Sequence, residues 1–107
     1  MANGVLASVA LVATTYTSIY GPPANTFSVV TVSICNKNAT AIQVRLALAV
    51  DPAIPANGNY IEYQTEVLPG GVLERSGVVI QSGRTIYAYS TQANTDVVVY
   101  GIETSTL

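Results

Sequence analysis

SVVTVSICNKNATAIQVRLALAV, residues 28–50, decides the fold class. Its second half alternates with a period of two. Ile42, Val44, Leu46, Leu48 and Val50 fall on one face, and Ala41, Gln43, Arg45, Ala47 and Ala49 on the other. A pleated strand with one buried side has this pattern. The first half, with Phe27 before it, is crowded with β-branched residues (Val29, Val30, Thr31, Val32, Ile34), which favour extended backbone. Between the halves lies Asn36-Lys37-Asn38-Ala39-Thr40, whose asparagines tolerate left-handed backbone and hydrogen-bond locally, as turns require. The reading is a β-hairpin at the centre of an all-β domain.

The same spelling continues in both directions. Upstream, Gly21-Pro22-Pro23 stops a short strand that begins near Thr14 and ends at Tyr20, because proline removes a ladder donor and fixes φ. Residues 1–13 are mostly apolar, and read as a first strand or as an arm lying on a neighbour. Downstream, the Asp51–Asn59 loop carries Pro52 and Pro55. Tyr60 to Leu68 follows as a strand, with Tyr60, Glu62, Gln64 and Glu66 on a wet face and Ile61, Tyr63, Thr65 and Val67 on a buried one. Pro69-Gly70-Gly71 turns the chain. Val72 to Ile80 is the next strand, with Gly77 as a candidate bulge. Gln81-Ser82-Gly83-Arg84 is a turn, Thr85 to Ser90 a strand with Tyr87 and Tyr89 on one face, and Thr91 to Thr95 a turn. Val97 to Ile102 is a last strand, apolar on both faces, which places it in mid-sheet or against another chain. Seven to eight short antiparallel strands at this spacing predict a single-domain β-sandwich, jelly-roll or immunoglobulin-like, over residues 14–107.

Composition narrows the function. The chain of 107 residues suits one core, and only 9% of its residues are charged while 50% are hydrophobic, against roughly 25% charged in ordinary soluble domains. A folded chain of this size exposes on the order of 5,700 Å², which so few ionised groups cover thinly. The expectation is that copies of the chain, or another protein, hide part of the surface. Four cations (Lys37, Arg45, Arg75, Arg84) and a formal charge of −2 argue against a nucleic-acid partner, whose affinity comes from neutralising several phosphates per site. The apolar run Val5–Ala13 has no Lys or Arg before it and is too short to span a bilayer, so neither a signal peptide nor a membrane partner is expected. The chain is expected to be made in a cytoplasm and used there or in a particle.

Catalytic chemistry has little to work with. There is no histidine, which excludes Ser/His/Asp and Cys/His nucleophilic arrangements. Cys35 is the one cysteine, so no internal disulfide is possible, and it reads as a small buried apolar residue. Glu62 and Glu66, on one strand face, would stand about 13 Å apart at strand rise, beyond the separation that glycosidase carboxylates use. A calcium site built on Asp51 and the Asn57-Gly58-Asn59 turn lacks an ordered ligand loop, and Asn38-Ala39-Thr40 is read as a turn although it matches a glycosylation sequon. No enzyme activity, cofactor or metal is expected. Arg45 is expected to form an ion pair with Glu62, Glu66 or Glu74. Tyr60, Tyr63, Tyr87, Tyr89 and Tyr100 offer strand packing, a sugar-stacking platform or a contact between subunits. The candidate oligomer or partner interface comprises Val5, Leu6, Val9, Leu11, Arg45, Tyr87, Tyr89, Val98 and Tyr100.

Several stretches carry a resemblance: Thr31-Val-Ser-Ile-Cys-Asn-Lys-Asn-Ala-Thr40 with Arg45 beyond it, Tyr60-Ile-Glu-Tyr63, Gly77-Val-Val-Ile80, Gly83 with Ile86-Tyr-Ala-Tyr-Ser90, and Ala93-Asn94 leading into Val97-Val-Val-Tyr-Gly101. Over roughly residues 14–103 the chain resembles a family of small structural proteins of tailed bacteriophages, prominent in phages of cyanobacteria. The resemblance implies a β-sandwich virion component assembled in the host cytoplasm. The form it favours is a homotrimeric capsid decoration (cement) protein contacting neighbouring major capsid subunits, with a tail, neck or fibre component or host-binding adhesin as the alternative. It carries no residue roles with it.

Overall fold

The computed structural model describes residues 2–50 and 55–107. They form eight strands and no helix: β1 (Asn3–Leu11), β2 (Thr17–Tyr20), β3 (Thr26–Asn36), β4 (Ile42–Val50), β5 (Tyr60–Val67), β6 (Val72–Gln81), β7 (Arg84–Ser90) and β8 (Thr95–Ser105). One sheet has the order β1-β8-β3-β6 and the other β2-β7-β4-β5, with every pairing antiparallel. The first strand pairs with the last, the second with the seventh, the third with the sixth and the fourth with the fifth. The chain is one long hairpin, bent at β4–β5 and rolled so that β3 meets β8 and β4 meets β7. Of the two sandwich types expected, this topology is the jelly roll.

The roll corrects the central hairpin. β3 and β4 are strands as expected, but they lie in opposite sheets, and the segment between them crosses from one layer to the other. Asn36 is the reason. Its side chain is fully buried; Nδ2 donates to the carbonyls of Thr40 (2.9 Å), Val67 (3.0 Å) and Leu68 (3.2 Å), while Oδ1 accepts from the Asn38 amide at 2.9 Å. These bonds satisfy backbone groups that leave the ladder at the crossing, where an unpaired buried carbonyl or amide would be expensive. β8, apolar on both faces, sits in mid-sheet between β1 and β3. Gly101 on β8 permits this, because an added Cβ would collide with the Val29 carbonyl oxygen of β3.

The core lies between the sheets, with Val30, Val32, Ile34, Ile42, Val44, Leu46, Ile80, Ile86, Val97 and Val99 almost wholly shielded. Alternation holds along β4 through Leu46. Beyond it Leu48 is half-buried and Val50 exposed, whereas Ala47 is buried on the other side between its cross-strand neighbours Tyr60 and Tyr87.

Among the irregularities of the ladders, two at positive φ shift faces. In β6, Gly77 at φ 68° opens a bulge between Arg75 and Val78, as its spelling predicts. In β5, Gln64 at φ 55° opens one that the sequence does not signal. It turns Tyr63 outward to 57% exposure and sets Glu62 beside Leu46 on the inner face. Glu62 and Glu66 therefore face opposite ways, against the reading that gave them one wet face. Asp51, considered as a calcium ligand, lies outside the described residues with the rest of 51–54.

Candidate functional site

The outer face of the β2-β7-β4-β5 sheet gathers one cation and four aromatic rings. Arg45 projects from the middle of β4, opposite Tyr89 on β7. The β5 bulge presents Tyr63 and Gln64 from the other side, and Tyr16, just before β2, reaches over. The guanidinium lies 4.4 Å from the Tyr89 ring centroid, 4.6 Å from that of Tyr63 and 5.9 Å from that of Tyr16. Its Nε donates to Gln64 Oε1 at 2.6 Å and its Nη1 to Tyr16 Oη at 2.7 Å. Gln64 in turn donates to Gln43 Oε1 at 2.9 Å, and the Tyr16 and Tyr60 hydroxyls share a bond of 2.5 Å. A planar, delocalised cation suits this stacked and forked environment. The hydrogen bond to Tyr16 raises the pKa of Arg45 further above its ordinary value. Burial and the bond to Tyr16 push Tyr60 up to about 12.

The expected ion pair is replaced. The partners of Arg45 are an amide, a hydroxyl and rings, and none of its hydrogen bonds among the described residues goes to a carboxylate. Glu62 pairs instead with Arg75 at 2.8 Å, and Glu74 accepts from the Tyr100 hydroxyl at 2.9 Å. Beside the cluster a shallow cleft of about 380 Å³ is lined, among the described residues, by Pro55, Ala56, Asn57, Gly58, Tyr60 and Tyr63, none of them charged. Platform and cleft offer stacking surface and amide contacts. They hold no acid–base pair, and no cluster of three His, Cys, Asp or Glu able to bind a metal occurs among the described residues.

The outer face of the β1-β8-β3-β6 sheet is different in kind. Register and alternation place two charged side chains on it, Glu74 and Asp96, the latter paired with Lys37 at 3.1 Å. The rest is apolar or small. Val5 is 68% exposed and Val79 62%, with Val72 and Ile102 also exposed and Val98 and Tyr100 half-buried between them.

The candidate interface residues are thus divided between two surfaces. Val5, Val98 and Tyr100 lie on this second face; Arg45 and Tyr89 lie in the aromatic cluster. Leu6 and Val9 are half-buried against the chain's own core. Two assignments are corrected: Leu11, at 3% exposure, is a core residue, and Tyr87, at 6%, is covered within its own chain, so neither offers contact area. Tyr16 and Gln64 are additions. Periodicity assigns Tyr63 to the core, because a non-glycine bulge leaves no mark in the pattern.

No helix among the described residues is long and apolar enough to cross a membrane. Comparison with protein-family models, with curated proteins and with solved structures finds no match to this chain.

Proposed function

We propose that this chain is a non-enzymatic structural subunit of a virion, a capsid decoration protein that grips neighbouring capsid subunits through the outer face of the β1-β8-β3-β6 sheet. One observation carries the reading: four strands present a nearly uncharged surface on which Val5, Val72, Val79 and Ile102 stand exposed. Contiguous apolar surface of this kind marks an interaction site, since hiding it from water is favourable. Binding only the assembled shell stabilises that shell by mass action, without chemistry. The virion setting comes from the resemblance of the Thr31–Thr40 stretch and its companions. The jelly roll agrees with it at the level of analogy, being a fold of capsid proteins and also of lectins. An antibody to the chain, applied to intact particles from the source of the sequence and viewed by electron microscopy, tests the proposal. Label over the head is expected; its absence from particles sinks it.

The Arg45 cluster favours a second reading, a tail or fibre module that touches the host surface through Tyr63 and Tyr89. Label at the tail, with glycan-array binding that disappears in Tyr63→Ala and Tyr89→Ala, selects this reading over the first.

A further inference from the structure

The four edge strands of the sandwich are not treated alike. β6 and β5 close one side. Each carries a bulge, and each turns a charge toward the core side, Arg75 beside Val32 and Glu62 beside Leu46, which meet at 2.8 Å across the gap between the sheets. Inward charges and bulges are the usual means of keeping an edge from pairing with another chain. β2 is four residues long and is followed by Gly21-Pro22-Pro23. β1 is nine residues long, with no charge and no proline, and has one hydrogen-bonded neighbour, β8. Its one irregularity lies between Val5 and Ala7, and from Ala7 to Leu11 the register with β8 is regular. Here also the core runs out to the rim: Leu6, Ala7 and Val9 pack on it while remaining partly exposed.

We infer that Ala7–Leu11 of β1 pairs edge to edge with the same segment of a second copy, antiparallel about a two-fold axis at Val9. The sequence is self-complementary in this arrangement. Val9 meets Val9 at the rim and Ser8 meets Ala10 on the outer side, while Ala7 falls in register with Leu11, which stays in its own core; small faces small on the outer side and no like charges oppose. Pairing joins two β1-β8-β3-β6 sheets into one of eight strands, covers the rim at Leu6 and Val9, and doubles the apolar outer face. The inference deepens the proposed function by naming the partner in self-association, and rests on it only for the purpose of the doubled face. It favours two-chain units where the resemblance implies trimers.

The test uses the full chain in a Cys35→Ser background, with single cysteines at Ser8, Val9 or Ala10 and a control at Val79 on the opposite edge. Variants are oxidised alone and in pairwise mixtures, and products are read by non-reducing electrophoresis beside light scattering of the wild-type chain. A two-chain mass is expected at about 100 µM, with Ser8→Cys and Ala10→Cys cross-linking when mixed and Val79→Cys remaining uncross-linked. Ser8→Lys/Ala10→Lys, folded by circular dichroism, is expected to weaken self-association roughly ten-fold or more, because like charges then oppose across the axis. A single-chain mass at that concentration overturns the inference, as does an oligomer cross-linked through Val79 or one of three chains. Label on the virion head in the same preparations leaves the proposed function standing in each of these cases, and its absence removes that function alone.

Discussion

Asn36 reads as a turn residue and Arg45 as a lone polar residue in an apolar strand, and the structure gives each a specific set of partners. Asn36 holds the crossing between sheets by sharing its two amide hydrogens among three carbonyls and accepting two bonds from Asn38. Asn36→Ala leaves the Val67 carbonyl unsatisfied in the interior, and is expected to lower unfolding free energy by about 2–3 kcal/mol, read from urea denaturation midpoints at constant slope. Arg45 sits at the surface, and its role depends on shape as much as charge. Lysine keeps the charge but loses the flat fork that stacks between Tyr63 and Tyr89 while bonding Gln64 and Tyr16. Arg45→Lys is expected to destabilise by about 1 kcal/mol; a melting temperature equal to that of the wild type would show the cluster to be a loose coincidence of side chains.

Strand positions were legible and strand partners were not. β-branched alternation and the Gly/Pro punctuation at Gly21-Pro22-Pro23, Pro69-Gly70-Gly71 and Ser82-Gly83 locate the elements. The Asn36–Thr40 segment, however, is spelled as a hairpin turn would be, and what makes it a crossing is the distant Val67 carbonyl that Asn36 binds. Gly77 announced its bulge because glycine is suited to positive φ. Gln64 does so only in three dimensions, which is why the pattern assigns Tyr63 to the core when it stands outward. At this scale the Glu62–Arg75 pair matters more for its position than for its strength. Arg75→Leu removes the inward charge that guards the β6 edge, and is expected to promote aggregation more than it lowers stability. Turbidity during slow heating measures the one and denaturant unfolding the other; turbidity matching the wild type refutes the guarding role.

Across the whole molecule, the two sheets are tied at one end by Tyr20 of β2, whose hydroxyl donates to Glu103 Oε2 of β8 at 2.6 Å and bonds Ser28 Oγ of β3 at 2.7 Å. The Ala2 amide donates to the same carboxylate at 3.0 Å. The hydrogen bond from Tyr20, then that from Ala2, hold the pKa of Glu103 below its ordinary value, while burial and the bond to Glu103 push Tyr20 up to about 12. A lowered carboxylate contributes stability that is complete above its unfolded value and is lost as pH falls through the folded one. A raised phenol contributes stability that is complete below its unfolded value of about 10 and is lost as pH rises through about 12. Melting temperature is therefore expected to fall at both extremes. Glu103→Gln is expected to flatten the acid limb, and acid limbs of equal slope in variant and wild type would remove Glu103 as its cause.

The rolled hairpin also fixes the order in which a growing chain can complete itself. β8 is made after the other seven strands, yet it lies between β1 and β3 and, among the described residues, is the one ladder partner of β1. Until Thr95–Ser105 has been synthesised, the first strand has nothing native to bond, and the third lacks one of its two neighbours. A nascent chain must wait with its least protected strand bare, and a ribosome that stops before Thr95 releases a product whose first strand has no home.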